Sequence, residues 1–366
     1  MNSDTAKVTD KKQIHDIILE RFKAGVLYVK TAGINIQVQS YSYKNGLLSI
    51  SLPNYSESIT NVIFYLRDKD EVTFSNAVLE YINEKGTHVF ELLDVQVLRI
   101  PRKEARKSVA SIEKPEKAGL YISNIISDFT IQECIGSARR RTDFIKDQLL
   151  KQIHTLYPDT QILFLNDKTN DPRMLFCMKK RIPYFIKNVK DLDDTDKLDN
   201  QEGLNYYKSF IYQNEQQNAK SKVVSEICVP LLYKLMMPFG YIKTVNSDEF
   251  DEEDFSVIRK FGMTASTIYT NDKQIIISSD ENIAVTDLSM SGLGIFFRNK
   301  VLIKHFKDKS LVIFSIYLPG EKHATFLCEV RNITLIQNYV YRVGCEIQNI
   351  EALGEVYYSE YLNGLV

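Results

Sequence analysis

The stretch Asp287-Leu288-Ser289-Met290-Ser291-Gly292 brings a carboxylate, a hydroxyl and a glycine together between two runs with strand character. It reads as one half of a nucleotide-binding signature. The other half is a pair of arginines four residues apart, which the chain has at Arg102 and Arg106. An arginine fork donates in pairs to phosphate oxygens, so such a set suits an anionic ligand. The two halves lie far apart in the sequence, with a whole domain's length between them. Both also have plainer readings. Asp and Ser satisfy the backbone of a turn while Gly takes positive φ, and two arginines in a basic linker are commonly just solvated.

Other chemistries are excluded more simply. The five histidines, His15, His88, His154, His305 and His323, show no metal-ligand spacing. No phosphate-binding glycine loop, dinucleotide fingerprint or nucleophile elbow is present, and no catalytic residue, metal or cofactor is expected. A formal net charge of −1 gives no general pull towards nucleic acid or anionic lipid, so any anion must be caught by a local cluster. Arg139-Arg140-Arg141 is a rival source of such a cluster, at the start of a helical pattern. The five cysteines are odd in number and scattered in apolar runs, which fits buried thiols in a reducing compartment. The polar N-terminus and the lack of a long apolar run make a cytosolic protein with no membrane span the expectation.

At 366 residues more than one domain is expected. Residues 1–100 read as an antiparallel β domain after a helix from Thr9 to Phe22. Its strands are expected at Ile34 to Val38, Val62 to Leu66, Val72 to Leu79 and Val89 to Leu98, with an Asn45-Gly46 hairpin turn. Residues 101–118 form a basic, proline-broken linker carrying both arginines. Residues 119–272 change to an α+β texture. Helices are expected over Arg139 to His154 and Phe250 to Tyr269, and strands at Gln161 to Leu165, Met174 to Met178, Ser225 to Leu232 and Pro238 to Ile242. An acidic loop spans Asp191 to Glu202. Residues 273–366 read as a small closed barrel with strands at Gln274 to Ile277, Ile283 to Thr286, Gly294 to Phe297, Leu311 to Leu318, Ala324 to Val330 and Tyr341 to Ile347, then a closing helix from Val356 to Leu362. Arg331 and Arg342 are expected to project outward from it.

These residues resemble known families. The last segment resembles a PilZ domain, a six-stranded β-barrel, on Asp287-x-Ser289-x-x-Gly292, Leu293-Gly294-Ile295, Cys328-Glu329-Val330-Arg331-Asn332-Ile333 and Tyr341-Arg342-Val343-Gly344-Cys345-Glu346-Ile347. The first hundred residues, with Arg102-Lys103-Glu104-Ala105-Arg106, resemble the split-barrel domain and linker that precede PilZ in flagellar-brake proteins. The middle resembles a GAF domain over Ser225 to Leu232, Gly240-Tyr241-Ile242 and Asn246 to Asp254. Ser247 and Phe255 replace the lysine and glutamate of that family's cyclic-nucleotide signature, so the resemblance implies the GAF fold and not the ligand.

The resemblance to PilZ implies a receptor for the bacterial second messenger cyclic di-GMP, with Arg102, Arg106, Asp287, Ser289 and Gly292 as ligand residues. Arginine forks fit a phosphodiester or the guanine O6/N7 edge and stack on a purine. Asp287 would accept from guanine N–H donors, Ser289 would offer its hydroxyl, and Gly292 would admit the ligand close to the backbone. The expected function is a cytoplasmic, non-enzymatic receptor that changes its domain arrangement on binding and signals to a protein partner, such as motility or envelope machinery, without DNA or RNA. Two alternatives stay open: a ligand-free PilZ adaptor, and a small-molecule sensor acting through the GAF-like domain.

Overall fold

The computed structural model describes residues 7–21, 26–31, 34–38, 40–44, 46–52, 60–68, 71–84, 86–99, 105–110, 119–167, 171–193, 202–213, 223–336 and 339–365. It divides into two units. One comprises Met1–Ser123, Asn282–Ser310 and Ser315–Val366; the other comprises Asn124–Glu281 and Leu311–Phe314.

The first unit begins with strand β1 (Lys7–Val8) and helix α1 (Lys11–Arg21). Asp10 caps the helix by accepting from the Lys12 and Gln13 amides, and Ile14 and Ile18 turn its apolar face inward. Strands β2 (Leu27–Lys30), β3 (Asn35–Gln37), β4 (Ser40–Lys44), β5 (Leu47–Ser51), β6 (Asn61–Asp68), β7 (Glu71–Ile82), β8 (His88–Leu92) and β9 (Val95–Arg99) follow. They pair in the order β3-β2-β6-β7-β8-β5-β4, with β9 against β7 and β1. Their alternating apolar residues, among them Leu27, Val29, Phe64, Leu66, Leu48 and Phe90, form one core.

The strand expected from Val89 to Leu98 is two strands, broken at Leu93-Asp94. Buried Asp94 accepts from the backbone and side-chain amides of Asn76 at 3.0 and 2.8 Å and pairs with Lys7 at 2.9 Å. A buried carboxylate needs those partners, and reaching them bends the chain out of register. Gly46 takes φ 81° in the β4–β5 turn; Asn45 lies outside the described residues.

Two short strands come next, β10 (Lys107–Ser108) and β11 (Tyr121–Ser127). The second unit then carries α2 (Asp128–Ser137), α3 (Arg139–Ile153), β12 (Gln161–Phe164), α4 (Pro172–Lys180), β13 (Tyr184–Ile186), α5 (Glu202–Tyr207), β14 (Ser225–Tyr233), β15 (Met237–Asn246) and α6 (Glu252–Asn271). Its sheet runs β12-β15-β14-β13 and is antiparallel throughout. The strand expected at Met174 to Met178 is instead the middle of α4. Asp171 caps that helix, Pro172 opens it, and Met174, Phe176 and Cys177 are buried. The central part of the acidic loop, residues 194–201, lies outside the described residues.

The C-terminal part of the chain holds β16 (Ile283–Ser289), β17 (Gly292–Phe297), β18 (Leu311–Tyr317), β19 (His323–Ile336), β20 (Val340–Ile350) and helix α7 (Ala352–Gly364), all in the first unit except Leu311–Phe314 of β18. The order β18-β11-β16-β17-β20-β19, with β18 also pairing β19, closes a six-stranded antiparallel barrel. Its first strand is not Gln274 to Ile277. That segment makes no strand, and its Ile275 and Ile276 amides turn back onto the Asp272 carbonyl. Strand β11 takes the place, with Ile122, Ile125 and Ile126 fully buried. A parallel pairing of β19 with β3, Thr334 to Asn35 and Leu335 to Ile36, joins the barrel to the N-terminal sheet.

Candidate ligand-binding site

Strands β16 and β17 meet in a tight turn in which Ser289 pairs with Gly292. Just before it, the register shifts between Val285 and Asp287, and the Thr286 and Asp287 side chains come together. The Thr286 hydroxyl donates to Asp287 Oδ2 at 2.8 Å. The Thr286 carbonyl accepts from the Val109 and Ala110 amides, which helps hold β10 along β16 in the register Lys107 to Leu288 and Ser108 to Asp287. That register delivers Arg106. Its Nη1 donates to Asp287 Oδ1 at 2.7 Å, across 181 positions of sequence. Arg342 on β20 donates from Nη2 to the other carboxylate oxygen at 3.1 Å.

Glycines make room for this cluster. Asp287 faces Gly294 across β16–β17, and Gly294 faces Gly344 across β17–β20. A Cβ on Gly294 would fall 2.3 Å from Asp287 Oδ2, and one on Gly292 would fall 3.0 Å from Arg106 Nη2. Both distances are below ordinary contact, so the carboxylate and the guanidinium lie where side chains would otherwise stand. On the far side of the trough, a Cβ on Gly344 would fall 2.7 Å from the Asn332 amide nitrogen.

The Asp287 side chain is 13% exposed, against 26% for Arg106 and 42% for Arg342. Burial works to raise the Asp287 pKa; the Arg106 hydrogen bond and charge, the Thr286 hydroxyl and Arg342 outweigh it and hold it below the usual carboxylate value. Asp287 therefore stays ionised as an anchor for two guanidinium groups. Among the described residues three of its roughly four lone-pair positions are occupied, which leaves about one for a further donor. The arginines keep several N–H donors beyond those that hold Asp287.

The remaining sequence-derived residues fall as follows. The Ser289 hydroxyl is buried and donates to the Gly292 carbonyl at 3.2 Å, with Ser291 Oγ at 3.4 Å. Its backbone carbonyl accepts from Tyr358 on α7 at 2.9 Å. Lys107, next to Arg106, caps the other end of α7 by donating to the carbonyls of Leu362 and Leu365. Arg102 lies outside the described residues. Arg139 pairs with Asp143 at 3.6 Å, and Arg141 bonds Asp272 at 2.9 Å, both within the second unit; Arg140 is exposed on α3.

Arg342, expected only to project outward from its strand, meets Asp287 there and joins a site in which sequence reasoning gave it no part. A signal existed in its position two residues before Gly344 on a strand, since alternate residues share a face. Arg331 does sit on the exposed side and bonds Glu329 and Glu346.

No protein-family model and no curated protein matches the chain. Among solved structures it is similar to MrkH of K. pneumonia in complex with c-di-GMP, at 10% identity and a TM-score of 0.37, over 99% of this chain and 96% of that one. It is also similar to YcgR from Escherichia coli in complex with c-di-GMP, at 7% identity and a TM-score of 0.33, over 98% and 92%. A third is the Bacillus subtilis inhibitor of motility MotI, at 10% identity and a TM-score of 0.22, over 93% and 96%.

Proposed function

We propose that this protein is a non-enzymatic receptor for cyclic di-GMP, with a PilZ-like barrel whose ligand site is completed by Arg106. The observation that carries the reading is the 2.7 Å bond between Arg106 and Asp287. It supports a site in which linker and barrel act together despite the domain inserted between them. Such an arrangement suits an anionic purine dinucleotide. Arg106 and Arg342 present forked donors side by side for phosphate oxygens or a guanine O6/N7 edge. Asp287 fixes their orientation and offers its remaining acceptor position to a guanine N–H. Holding the forks in place before binding lowers the ordering cost of the complex.

Arg102 is a further ligand residue in this reading, and the second unit is an inserted GAF-like α+β domain. Ligand that binds one arrangement of the domains more tightly than another shifts the population towards it, and the signal passes to a protein partner.

The test is calorimetric titration of the full chain with cyclic di-GMP, with cyclic di-AMP as the control. The expected result is micromolar or tighter binding of the guanine ligand and much weaker binding of the adenine one, which lacks the O6 acceptor. Absence of heat, together with no competition against labelled cyclic di-GMP, would overturn the reading and favour a ligand-free adaptor.

A further inference from the structure

We infer that Tyr28, backed by Tyr65, forms a stacking subsite for the second purine base of the ligand, supplied by the N-terminal sheet to the barrel's arginine cluster. The inference rests on the receptor reading above and adds to it a part of the site that lies outside the barrel.

Strand register carries the argument. Arg342 pairs with Thr334 across β20–β19, Thr334 with Asn35 across the parallel β19–β3 junction, and Asn35 with Lys30 across β3–β2. Residues directly opposite one another share a face of the sheet, and so do alternate residues along a strand. Tyr28, two positions from Lys30, therefore stands on the face that carries Arg342. Its cross-strand partners are Gln37 on β3 and Tyr65 on β6. The opposite face of β2 holds Leu27 and Val29, both buried in the N-terminal core.

The two tyrosine rings are stacked, with centroids 5.1 Å apart and planes 16° from parallel. Because β2 lies between β6 and β3, Tyr28 is the ring nearer the barrel and Tyr65 supports it from behind. Strands β2 and β20 are three strand spacings apart, about 14 Å, a gap that long side chains reaching from both sides make narrower. Polar Gln37, Asn35 and Thr334 line the floor between them. Burial raises the Tyr28 phenol above its ordinary range, and the Arg342 charge acts in the opposite direction, which agrees with the two groups facing one another.

The chemistry fits a flat purine base. A purine stacks on a tyrosine ring whatever its edge pattern, and an arginine fork caps its other face or takes its O6/N7 edge. The cluster around Asp287 accounts for one nucleotide of a cyclic dinucleotide. The other base needs a surface of this kind at the far end.

The probe is a cyclic dinucleotide carrying 2-aminopurine in place of one guanine, whose emission falls when the base stacks on an aromatic ring. It is titrated into the full-length protein and into Tyr28→Leu, Tyr65→Leu and Tyr28→Phe. The expected result is quenching on binding to the wild-type protein. Tyr28→Leu should bind about tenfold more weakly, as loss of one stacked base implies, with the quenching lost. Tyr65→Leu should show a smaller change in the same direction, and Tyr28→Phe, which keeps the ring, should stay close to wild type. Undiminished affinity and quenching in both leucine variants would overturn the subsite and leave the receptor reading standing. Failure of the wild-type protein to bind any cyclic dinucleotide would overturn both.

Discussion

Replacing Arg106 by alanine is expected to weaken cyclic di-GMP binding by about a hundredfold. The estimate takes two hydrogen bonds to charged groups at about 1.5 kcal/mol each, and 1.4 kcal/mol corresponds to about a tenfold change in affinity. The change removes a forked donor and also loosens Asp287, whose depressed pKa depends on Arg106 more than on its other partners. Strand β10 should survive, because its register is held by backbone bonds to β16 and by the Lys107 contacts with α7. The thermal transition of the first unit should therefore move little. Arg106→Lys keeps the charge and loses the fork, and its affinity should fall between the two. Titration calorimetry reads all three proteins, and wild-type affinity in Arg106→Ala would remove this arginine from the site.

The largest effect on stability is expected in the second unit, at Arg173. Its Nε and Nη2 donate to the two oxygens of Glu226 at 2.6 and 2.8 Å, and both side chains are almost fully buried, at 4% and 1% exposure. Tyr184 donates to the same carboxylate at 2.6 Å and Tyr207 at 3.4 Å. Arg173→Met leaves Glu226 buried with two phenols as its remaining partners in this group, and should destabilise the second unit by about 3–5 kcal/mol. The double variant Arg173→Met with Glu226→Leu removes that pair of charges and should recover most of the loss, short of the two phenols left without their acceptor and of Asp171, which loses its 3.8 Å pairing with Arg173. Because the chain has more than one unit, a single melting temperature is a poor readout. Hydrogen exchange of peptides from β13 and β14 reports the unit directly. Unchanged protection in Arg173→Met, or a double variant as unstable as the single one, would refute the expectation.

These two sites differ in how far the sequence reveals them. Asp287, Ser289 and Gly292 are neighbours in the chain, so their turn is visible as a motif. Arg106 meets Asp287 through a strand two residues long, which has no periodicity to detect and exists because β16 offers it backbone partners. Arg342 joins through the face of β20 that it shares with Gly344, a spacing visible in the sequence whose meaning comes from the pairing of Gly344 with Gly294. The N-terminal sheet follows alternating patterns that mark half-buried strands, whereas barrel strands such as β17 and β18 are apolar runs buried almost throughout. Strand β11 escapes because Ser123, Asn124 and Ser127 split its apolar residues into pairs that follow no period of two, and α4 is mistaken for a strand because a short apolar stretch fits either period. For α4 the Asp171-Pro172 start was the better guide, since capping signals depend on two residues and not on the period. In the buried pair, Glu226 is the one visible clue: a carboxylate inside the apolar run from Ser225 to Leu232 requires a partner.

The central claim is that a linker arginine and a barrel turn separated by an inserted domain bind one ligand together. Photolabelling with 8-azido cyclic di-GMP, followed by mass spectrometric mapping of the modified peptides, tests it most directly. The account predicts adducts on peptides carrying residues 105–110 and 283–298, suppressed by unlabelled cyclic di-GMP. Adducts confined to residues 124–281 would contradict it and move the ligand to the second unit.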